Sequence, residues 1–268
     1  MKSKVPILLY HNLESPEFPC EKSNPATRDT VVRATDFEAQ IKYLADKGYK
    51  TISLQEYFNH KVKKRPFPPR SIIITFDDGH YSNYHLGFPI LREHGFKAAF
   101  FVIADRVDRQ HHLTRAQIKE MADNGMEIGS HGLTHKYLPQ MDDREIQHEL
   151  SESRRILETR TDKQVEYFAF PGGHYNRNVL MSLKSSGYKG ACSCLQGFND
   201  LETNPYLLKR IEVRKKLSLN QFEHIFHPTH LIFYQFVDLF KSLIRLCVGL
   251  DTYSQIRSHF YKYYIFKR

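Results

Sequence analysis

The chain has 268 residues, of which 41% are hydrophobic and 26% are charged, a composition that supports a packed core and excludes wholesale disorder. Four cysteines exclude a disulfide scaffold, and no stretch long enough to span a membrane is free of charged side chains. The net charge is +9, and residues 209–268 hold 11 basic and 4 acidic side chains. A basic segment on a near-neutral body favours a local anionic partner, such as a membrane surface, over nucleic acid. The alternative is a solvated basic face.

The chain starts with Met-Lys-Ser-Lys, followed by the apolar run Val5–Tyr10. This run is shorter than the core of a signal peptide, and no small-residue cleavage site follows it. We therefore expect the protein in the cytoplasm, with peripheral contact to the inner face of the cell membrane as a further hypothesis.

Apolar, β-branched runs alternate with helical patterns along most of the chain. Thr35 and Glu38 have the spacing of a capping box at the start of a helix, and Gly48 is a stop signal for it. Ser53 and Thr114 begin two further helices with the same pattern. This order of elements is typical of parallel α/β folds, in which a closed barrel is as natural at this length as an open sheet. The predicted strands are Val5–Tyr10, Lys50–Ser53, Ser71–Phe76, Lys97–Ile103, Met126–Ser130, Glu166–Phe170, Tyr188–Cys194 and Arg210–Val213.

Residues 228–268 differ in character from the rest, because they hold 10 of the 35 aromatic residues. Polar residues recur at spacings of three and four from Leu231 to Leu250, which predicts a helix with a wide apolar face. Such a helix packs on the folded domain or lies in the plane of a membrane, and the basic, tyrosine-rich end favours the membrane. We therefore divide the chain into a domain over residues 1–227 and a basic, aromatic, amphipathic tail over residues 228–268.

The predicted strand Ser71–Phe76 ends in two adjacent carboxylates, Asp77 and Asp78, followed by Gly79. Two carboxylates at the end of an apolar strand are costly unless something pairs them, and a bound cation would do so. Adjacent side chains leave the backbone in different directions, so one can ligate a metal while the other remains a base. Alone, this sequence is most often a turn.

Two further motifs also follow predicted strands. His131 and His135 have a spacing that suits a divalent metal. Two histidines and one aspartate would leave coordination positions open for water and substrate, as in catalytic sites. The segment 168–173 ends in a Pro-Gly-Gly turn, which either presents backbone N–H groups to an oxyanion or is an ordinary turn.

Taken together, the three motifs resemble the polysaccharide deacetylase family, the NodB-homology or carbohydrate esterase 4 group. Residues 75–79 match its first motif, residues 130–135 its second and residues 168–173 its third. The resemblance extends over residues 5–225 and is nearest to members that resemble poly-N-acetylglucosamine deacetylases, which have a permuted strand order. It implies a distorted (β/α) barrel of about seven strands, to which residues 228–268 would add a C-terminal helical extension.

The resemblance also implies a divalent metal ion, usually zinc, held by Asp78, His131 and His135. In the chemistry of the family, the metal polarises the acetamide carbonyl and binds the attacking water, from which Asp77 removes a proton as general base. The backbone N–H of Gly172 would then stabilise the oxyanion.

The chain departs from the family pattern at two functional positions. Ala169 stands where the third motif often carries an arginine that orients the base, and Arg210 is our candidate for that role. The late Leu-x-His motif that supplies the general acid is not found after residue 200, but Leu9-Tyr10-His11 ends the first predicted strand. Since some members are similar in carrying a Tyr-His near their start, we predict that His11 is the general acid. The alternative is that His11 only ends a strand.

The sequence thus predicts a metal-dependent hydrolase that removes N-acetyl groups from an N-acetylhexosamine-containing glycan or glycolipid, in exopolysaccharide or surface-glycan metabolism. Two alternatives stand beside it. One is hydrolysis of other non-peptide C–N bonds or of O-acetyl esters, and the other is a catalytically inactive glycan-binding protein. Nucleic acid is not an expected partner, and the tail predicts peripheral membrane contact.

Overall fold

The computed structural model describes residues 4–20 and 28–226, which form eleven strands and seven α-helices. In chain order the strands are β1 (Val5–Tyr10), β2 (Leu13–Glu14), β3 (Val32–Arg33), β4 (Lys50–Thr51), β5 (Ser71–Phe76), β6 (Ala99–Val102), β7 (Glu127–Ser130), β8 (Tyr167–Ala169), β9 (Gly190–Cys192), β10 (Phe198–Asn199) and β11 (Ile211–Glu212). The helices are α1 (Ala34–Asp46), α2 (Leu54–Val62), α3 (Phe88–Glu93), α4 (Arg115–Asp123), α5 (Asp143–Thr161), α6 (Arg177–Ser185) and α7 (Leu219–Ile225).

The main sheet is built on seven strands in the order β10-β1-β5-β6-β7-β8-β9, and the short strands β11 and β4 pair with β1 and β5. Strands β1, β5, β6, β7, β8 and β9 run parallel, each beside the next. Strand β10 pairs with β1 in the antiparallel sense. The remaining strands, β2 and β3, form a separate parallel pair.

The segment 205–213 connects β9, at the end of this series, to β1. On one side the Leu208 N–H donates to the Ala191 carbonyl in β9 at 2.9 Å. On the other side β11 pairs in parallel with β1, and the Val213 N–H donates to the Leu9 carbonyl at 2.9 Å. These bonds curl the sheet round into the distorted (β/α) barrel of about seven strands, which confirms the predicted fold class.

Alternate side chains of β5 pack on opposite faces of the sheet, as strand geometry requires. Ile74 and Phe76 belong to the core cluster shared with α1, α4 and α5. Ile73 belongs to a second cluster, on the other face, to which α2 contributes. Thr75 and Asp77 continue the Ile73 series, so the first candidate carboxylate extends from the face that lines the inside of the barrel.

The structure contains a strand at each of the eight places where the sequence predicts one, although most are shorter than predicted. The two-residue strands β2, β3 and β10 were not predicted, because they are too short to show an alternating pattern.

Two of the three predicted helix starts are confirmed, since Ser53 and Thr114 form complete capping boxes. The prediction for Thr35 is wrong. Helix α1 begins at Ala34, with Arg33 at the N-cap and no side-chain cap, because β3 runs directly into the helix.

The predicted tail over residues 228–268 and the domain boundary after residue 227 lie outside the described residues. Every helix within the described ranges is too short or too polar to cross a bilayer.

Candidate active site

The carboxyl ends of the parallel strands meet at one rim of the barrel, and the candidate residues follow them. His11 follows β1, Asp77 and Asp78 follow β5, and His131 follows β7. The register between β1 and β5 continues past the strand ends, because the Asp77 N–H donates to the Tyr10 carbonyl at 3.0 Å. Parallel pairing thus brings together motifs that lie far apart in the chain.

Asp78, His131 and His135 form one cluster at this rim. The Oδ1 atom of Asp78 lies 3.5 Å from Nε2 of His131 and 3.4 Å from Nε2 of His135. The potential ligand atoms of the three residues all lie within 4.8 Å of one another. His131 is buried, whereas the side chains of Asp78 and His135 are each 29% exposed. The cluster therefore has a closed side against the protein and an open side towards solvent.

The hydrogen bond at the far side of the His131 ring determines which nitrogen faces the cluster. Nδ1 lies 2.8 Å from the backbone carbonyl oxygen of Ala169, which can only accept, so Nδ1 carries the proton. The lone pair of Nε2 is then directed towards Asp78. Metal-binding histidines are oriented by this kind of second hydrogen bond. One carboxylate and two imidazoles therefore fit a divalent metal ion, and this donor set suits zinc.

Two members of the cluster have a backbone conformation that residues with a side chain rarely adopt. The φ angle is +73° at Asp78 and +67° at His135. Each such residue costs about 1–3 kcal/mol, and such costs occur most often at functional sites. Gly79 makes the turn after Asp78 possible, because a Cβ atom there would lie 2.9 Å from Cγ1 of Val102.

The loop between the two histidines is held by Glu149, a buried residue of α5. Its Oε2 accepts the N–H groups of Leu133 at 2.8 Å and Thr134 at 3.0 Å, and its Oε1 accepts the Thr134 hydroxyl at 2.5 Å. Glu149 is not among the residues predicted from the sequence. Its signal was a glutamate on the apolar face of a helix, between Ile146 and Leu150.

Asp77 lies beside this cluster and is held by Arg210. The guanidinium donates two parallel hydrogen bonds, from Nη1 to Oδ1 at 2.7 Å and from Nη2 to Oδ2 at 2.8 Å. Both residues are almost completely buried. The Nε atom of Arg210 also donates to the Ser193 carbonyl at 3.0 Å, and its Cζ lies 5.7 Å from the centroid of the Phe101 ring. The arginine is thereby fixed inside the barrel below the reaction site.

The charges of the site keep both carboxylates ionised. Burial by itself would raise the pKa of Asp77, but the charge of Arg210 and, when its ring is protonated, that of His131 lower it to about 2. Burial would also raise the pKa of Asp78, and the imidazoles around it, His11 and His131 first, lower it below its ordinary value when they are protonated. Burial lowers the pKa of His135 to about 4, so this imidazole is neutral near pH 7. Ionised carboxylates and neutral imidazoles are the forms that bind metal.

The turn Pro171–Gly173 packs against the histidine loop, since a Cβ atom on Gly132 would lie 3.6 Å from Cγ of Pro171. Pro171 has no N–H group. The N–H groups of Gly173 and His174 are bonded within the turn, to the carbonyls of Phe170 at 2.8 Å and Pro171 at 3.3 Å. The N–H group of Gly172 is therefore the donor that this turn can offer to an oxyanion.

His11 also lies at this rim, with its backbone carbonyl accepting from the side-chain amide of Asn83 at 2.8 Å. Its Nδ1 is buried and has no hydrogen-bond partner among residues 4–20 and 28–226. When protonated, His11 would be among the groups that lower the pKa values of Asp77 and Asp78. The structure thus brings the predicted site residues together, with Arg210 reaching Asp77 from inside the barrel and the others at one rim, while their catalytic roles stay predictions.

Comparison with known proteins agrees with this geometry. A family model described as polysaccharide deacetylase matches residues 64–191. The chain is 30% identical over 220 residues to a Bacillus subtilis protein named "Putative polysaccharide deacetylase YxkH", covering 82% of this chain and 75% of that protein. It is 29% identical over 217 residues to the poly-β-1,6-N-acetyl-D-glucosamine N-deacetylase of Staphylococcus aureus strain MSSA476, covering 76% of this chain and 73% of that protein.

A solved structure supports the same relationship. The crystal structure of BC0361, a polysaccharide deacetylase from Bacillus cereus, superimposes with a TM-score of 0.73 at 29% sequence identity. The match covers 84% of this chain and 69% of that chain. The similarity therefore includes the barrel and the rim that carries the candidate site.

Proposed function

The chain belongs to the polysaccharide deacetylase family, and from this we propose that it removes N-acetyl groups from an N-acetylhexosamine-containing glycan in exopolysaccharide metabolism. One observation carries the proposal. Asp77 is ionised and held by Arg210 directly beside the cluster of Asp78, His131 and His135. This arrangement provides a base next to a site for a Lewis acid, a combination that suits hydrolysis of an unreactive amide.

A divalent metal ion, which we propose is zinc, would be held by Asp78, His131 and His135, and it would supply Lewis-acid polarisation and a water of lowered pKa. The hydrogen bond from His131 to the Ala169 carbonyl supports this assignment, because it directs Nε2 towards the site. The loop anchored by Glu149 leads into His135 and holds it next to Asp78 and His131.

We propose that Asp77 accepts the proton of the attacking water. Arg210 positions this carboxylate with two hydrogen bonds and leaves it no freedom to rotate away. The low pKa of Asp77 makes its carboxylate a weak base at equilibrium. The same low pKa keeps the carboxylate ionised near pH 7, and Arg210 holds it beside the metal cluster. The proton is transferred as the water attacks the amide carbonyl.

The Gly172 N–H would donate to the oxyanion that forms at the acetyl carbonyl, which is where a fixed donor contributes most. His11 would protonate the departing sugar amine as acetate leaves. Its position at the end of β1, beside the end of β5, supports this role. An ionised base and a separate acid at the same rim account for both proton transfers.

The proposed reaction is tested by metal analysis combined with acetate release from β-1,6-linked N-acetylglucosamine oligomers, with and without chelator. We expect acetate release that is lost with chelator and regained with Zn²⁺.

Asp77→Asn and His11→Ala should keep the metal and lose about 10²–10⁴-fold in kcat, whereas Asp78→Ala should lose the metal. Glu152→Gln, on the outer part of α5, is the control. Full activity of Asp77→Asn, or activity that persists without metal, would contradict the proposal.

We also propose that residues 228–268 bind the surface of an anionic membrane, which would bring the enzyme to a membrane-proximal glycan or glycolipid. Support comes from the sequence alone, in the basic and aromatic composition of this segment. The test compares sedimentation of the full chain and of a chain ending at residue 227 with vesicles of phosphatidylglycerol. Equal partitioning of the two would contradict it. A cytoplasmic location stays a prediction.

A further inference from the structure

We propose that Tyr137, which lies against His174 beside the candidate metal site, is a binding platform for a pyranose ring of the glycan next to the residue that is deacetylated. This inference rests on the proposed function, because it assigns the place of the rest of the substrate. Tyr137 is 40% exposed and is the one aromatic residue among the large exposed hydrophobic side chains of residues 4–20 and 28–226. A tyrosine presents an apolar ring together with a polar hydroxyl, a combination that is enriched at interfaces.

The ring lies between two parts of the candidate site. Tyr137 follows the potential metal ligand His135 by two residues. Its ring centroid lies 4.6 Å from that of His174, with an angle of 63° between the ring planes. His174 directly follows the Pro171–Gly173 turn. A sugar stacked on Tyr137 would therefore lie next to the acetyl group that the site holds.

The approach of the two rings depends on Gly172, which has a φ angle of +61°. A Cβ atom on this residue would lie 2.8 Å from Cε1 of Tyr137 and 3.0 Å from Cδ2 of His174. A side chain at position 172 would thus displace both rings. The glycine therefore serves two purposes, since it shapes the turn that offers an N–H group and makes room for the aromatic platform.

A cavity of about 480 Å³ adjoins the platform. It is lined by His135, Lys136, Tyr137, Gln140, Met141 and Glu145. One aromatic surface and several polar side chains suit a pyranose, which has an apolar C–H face and hydroxyl groups around its edge. Since His135 belongs to both the cavity and the metal cluster, a ligand in the cavity is a neighbour of the reaction site.

The first test separates binding of the chain from chemistry at the acetyl group. For Tyr137→Ala, KM for a β-1,6-linked N-acetylglucosamine pentasaccharide should rise about tenfold, the effect of losing one aromatic contact, while kcat changes less than twofold. Tyr137→Phe should behave like the wild type, because the ring and not the hydroxyl makes the contact. Hydrolysis of 4-nitrophenyl acetate, which does not reach the platform, should be unchanged in both variants. Met181→Ala, on the exposed face of α6, is the control.

The second test reads binding without turnover. The chain contains no tryptophan, so Tyr137→Trp introduces a single tryptophan at the platform, whose emission can be read separately from that of the tyrosines. Its emission should change saturably with the pentasaccharide and much less with the monosaccharide. Met181→Trp, with the fluorophore on α6, should not respond.

These outcomes distinguish the two proposals. If the wild type releases no acetate from any glycan, the proposed function is wrong, and the Tyr137→Trp emission decides the platform alone. If the wild type is active but Tyr137→Ala keeps its KM for the pentasaccharide, the platform is wrong and the reaction stands. Equal losses with the pentasaccharide and 4-nitrophenyl acetate would also overturn it, because they would show a displaced metal loop and not a lost sugar contact.

Discussion

The ion pair of Asp77 and Arg210 is buried, with Arg210 inside the barrel and Asp77 at the rim. Taking two charges out of water is expensive, and the cost is offset only where geometry and additional hydrogen bonds are good. Here the guanidinium forms two short bonds to the carboxylate and a third to the Ser193 carbonyl. We infer that the pair serves the orientation of Asp77 more than the stability of the fold.

Replacing this arginine should therefore affect folding and pH dependence in separable ways. Arg210→Met leaves a buried carboxylate without a partner and should lower the free energy of unfolding by about 3–5 kcal/mol, measured by urea denaturation. Arg210→Lys keeps the charge but loses the two-pronged contact. Because Arg210 lowers the pKa of Asp77, the acidic limb of the pH dependence of kcat/KM should move to higher pH in Arg210→Lys.

The matched control is Arg33→Met, which breaks an exposed pair with Asp36. We expect it to change the free energy of unfolding by at most about 1 kcal/mol. An Arg210→Met protein as stable as Arg33→Met would show that the buried pair has no special role.

Glu149 accepts the hydrogen bonds that hold the loop between the two histidines. Glu149→Gln removes the charge that two backbone N–H groups share, so His135 should be held less firmly. Affinity for Zn²⁺ should fall about 10–100-fold, as for other residues that orient metal ligands, measured by competition with a chromogenic chelator. Glu152→Gln on the same helix should bind the metal like the wild type, and equal affinities in the two variants would refute this role.

At the scale of elements, short turns determine the shape of the rim. Gly172 and Gly95 both have a positive φ angle, of +61° and +66°, but a Cβ atom on Gly95 would meet nothing within 4 Å. Gly95→Ala should therefore lower the free energy of unfolding only by the cost of placing a side chain on a residue with positive φ. Gly172→Ala should lower it by about 1–3 kcal/mol more, the usual cost of overpacking. Urea denaturation measures both.

The excess should depend on the aromatic ring that the new methyl group would meet. In the Tyr137→Ala background the excess for Gly172→Ala should be smaller but not zero, because the contact at 2.8 Å with Tyr137 is removed while the contact at 3.0 Å with His174 remains. An excess of the same size in both backgrounds would place the clash elsewhere.

Helix α2 begins at a carboxylate from another element. Glu127, the first residue of β7, accepts the N–H groups of Leu54 at 2.7 Å and Gln55 at 2.9 Å. Burial raises the pKa of Glu127 from 4.5 to about 7, although both N–H groups act against the shift. The folded protein therefore holds this proton in a pH range where the unfolded chain has released it. The corresponding stability is fully present below pH 4.5 and is lost as the pH rises through about 7.

Glu127→Gln removes this titration. The free energy of unfolding of the variant minus that of the wild type should increase between pH 4.5 and about 7 and then level off. Urea denaturation across this range measures the difference. Glu38→Gln, at an exposed position of α1, should show no such trend, and a constant difference for Glu127→Gln would contradict the assigned pKa.

At the scale of the whole molecule, the metal cluster ties together β5 and the loop after β7. A ligand that binds only the folded state stabilises it, by about 2.7 kcal/mol at a free concentration one hundred times Kd. Saturating Zn²⁺ should therefore raise Tm by about 5–10 °C in a domain of this size, measured by differential scanning calorimetry. Asp78→Ala should lose most of this increase. An equal increase in Asp78→Ala would mean that the metal binds elsewhere.

The sequence by itself determined the places of eight strands, the starts of two helices and the candidate residues of the site. Hydrophobic runs and caps marked eight strands and the starts of α2 and α4, since these signals are local and repeat at fixed spacings. Three motifs at strand ends indicated the residues of the rim, because parallel strands in a barrel end on the same side. The start of α1 was predicted wrongly, since the neighbouring strand β3 is too short to be seen in a pattern.

Only the tertiary structure decided which distant residues meet. The sequence made Arg210 only a candidate partner of Asp77, and it gave no sign that Glu149 holds the histidine loop or that Tyr137 lies over Gly172. These contacts join positions separated by the closure of the barrel and by the packing of α5 on the sheet. Side chains that are far apart in the sequence become neighbours through the packing of the whole chain in three dimensions. The spacing of residues along a short stretch of sequence carries no information about that packing.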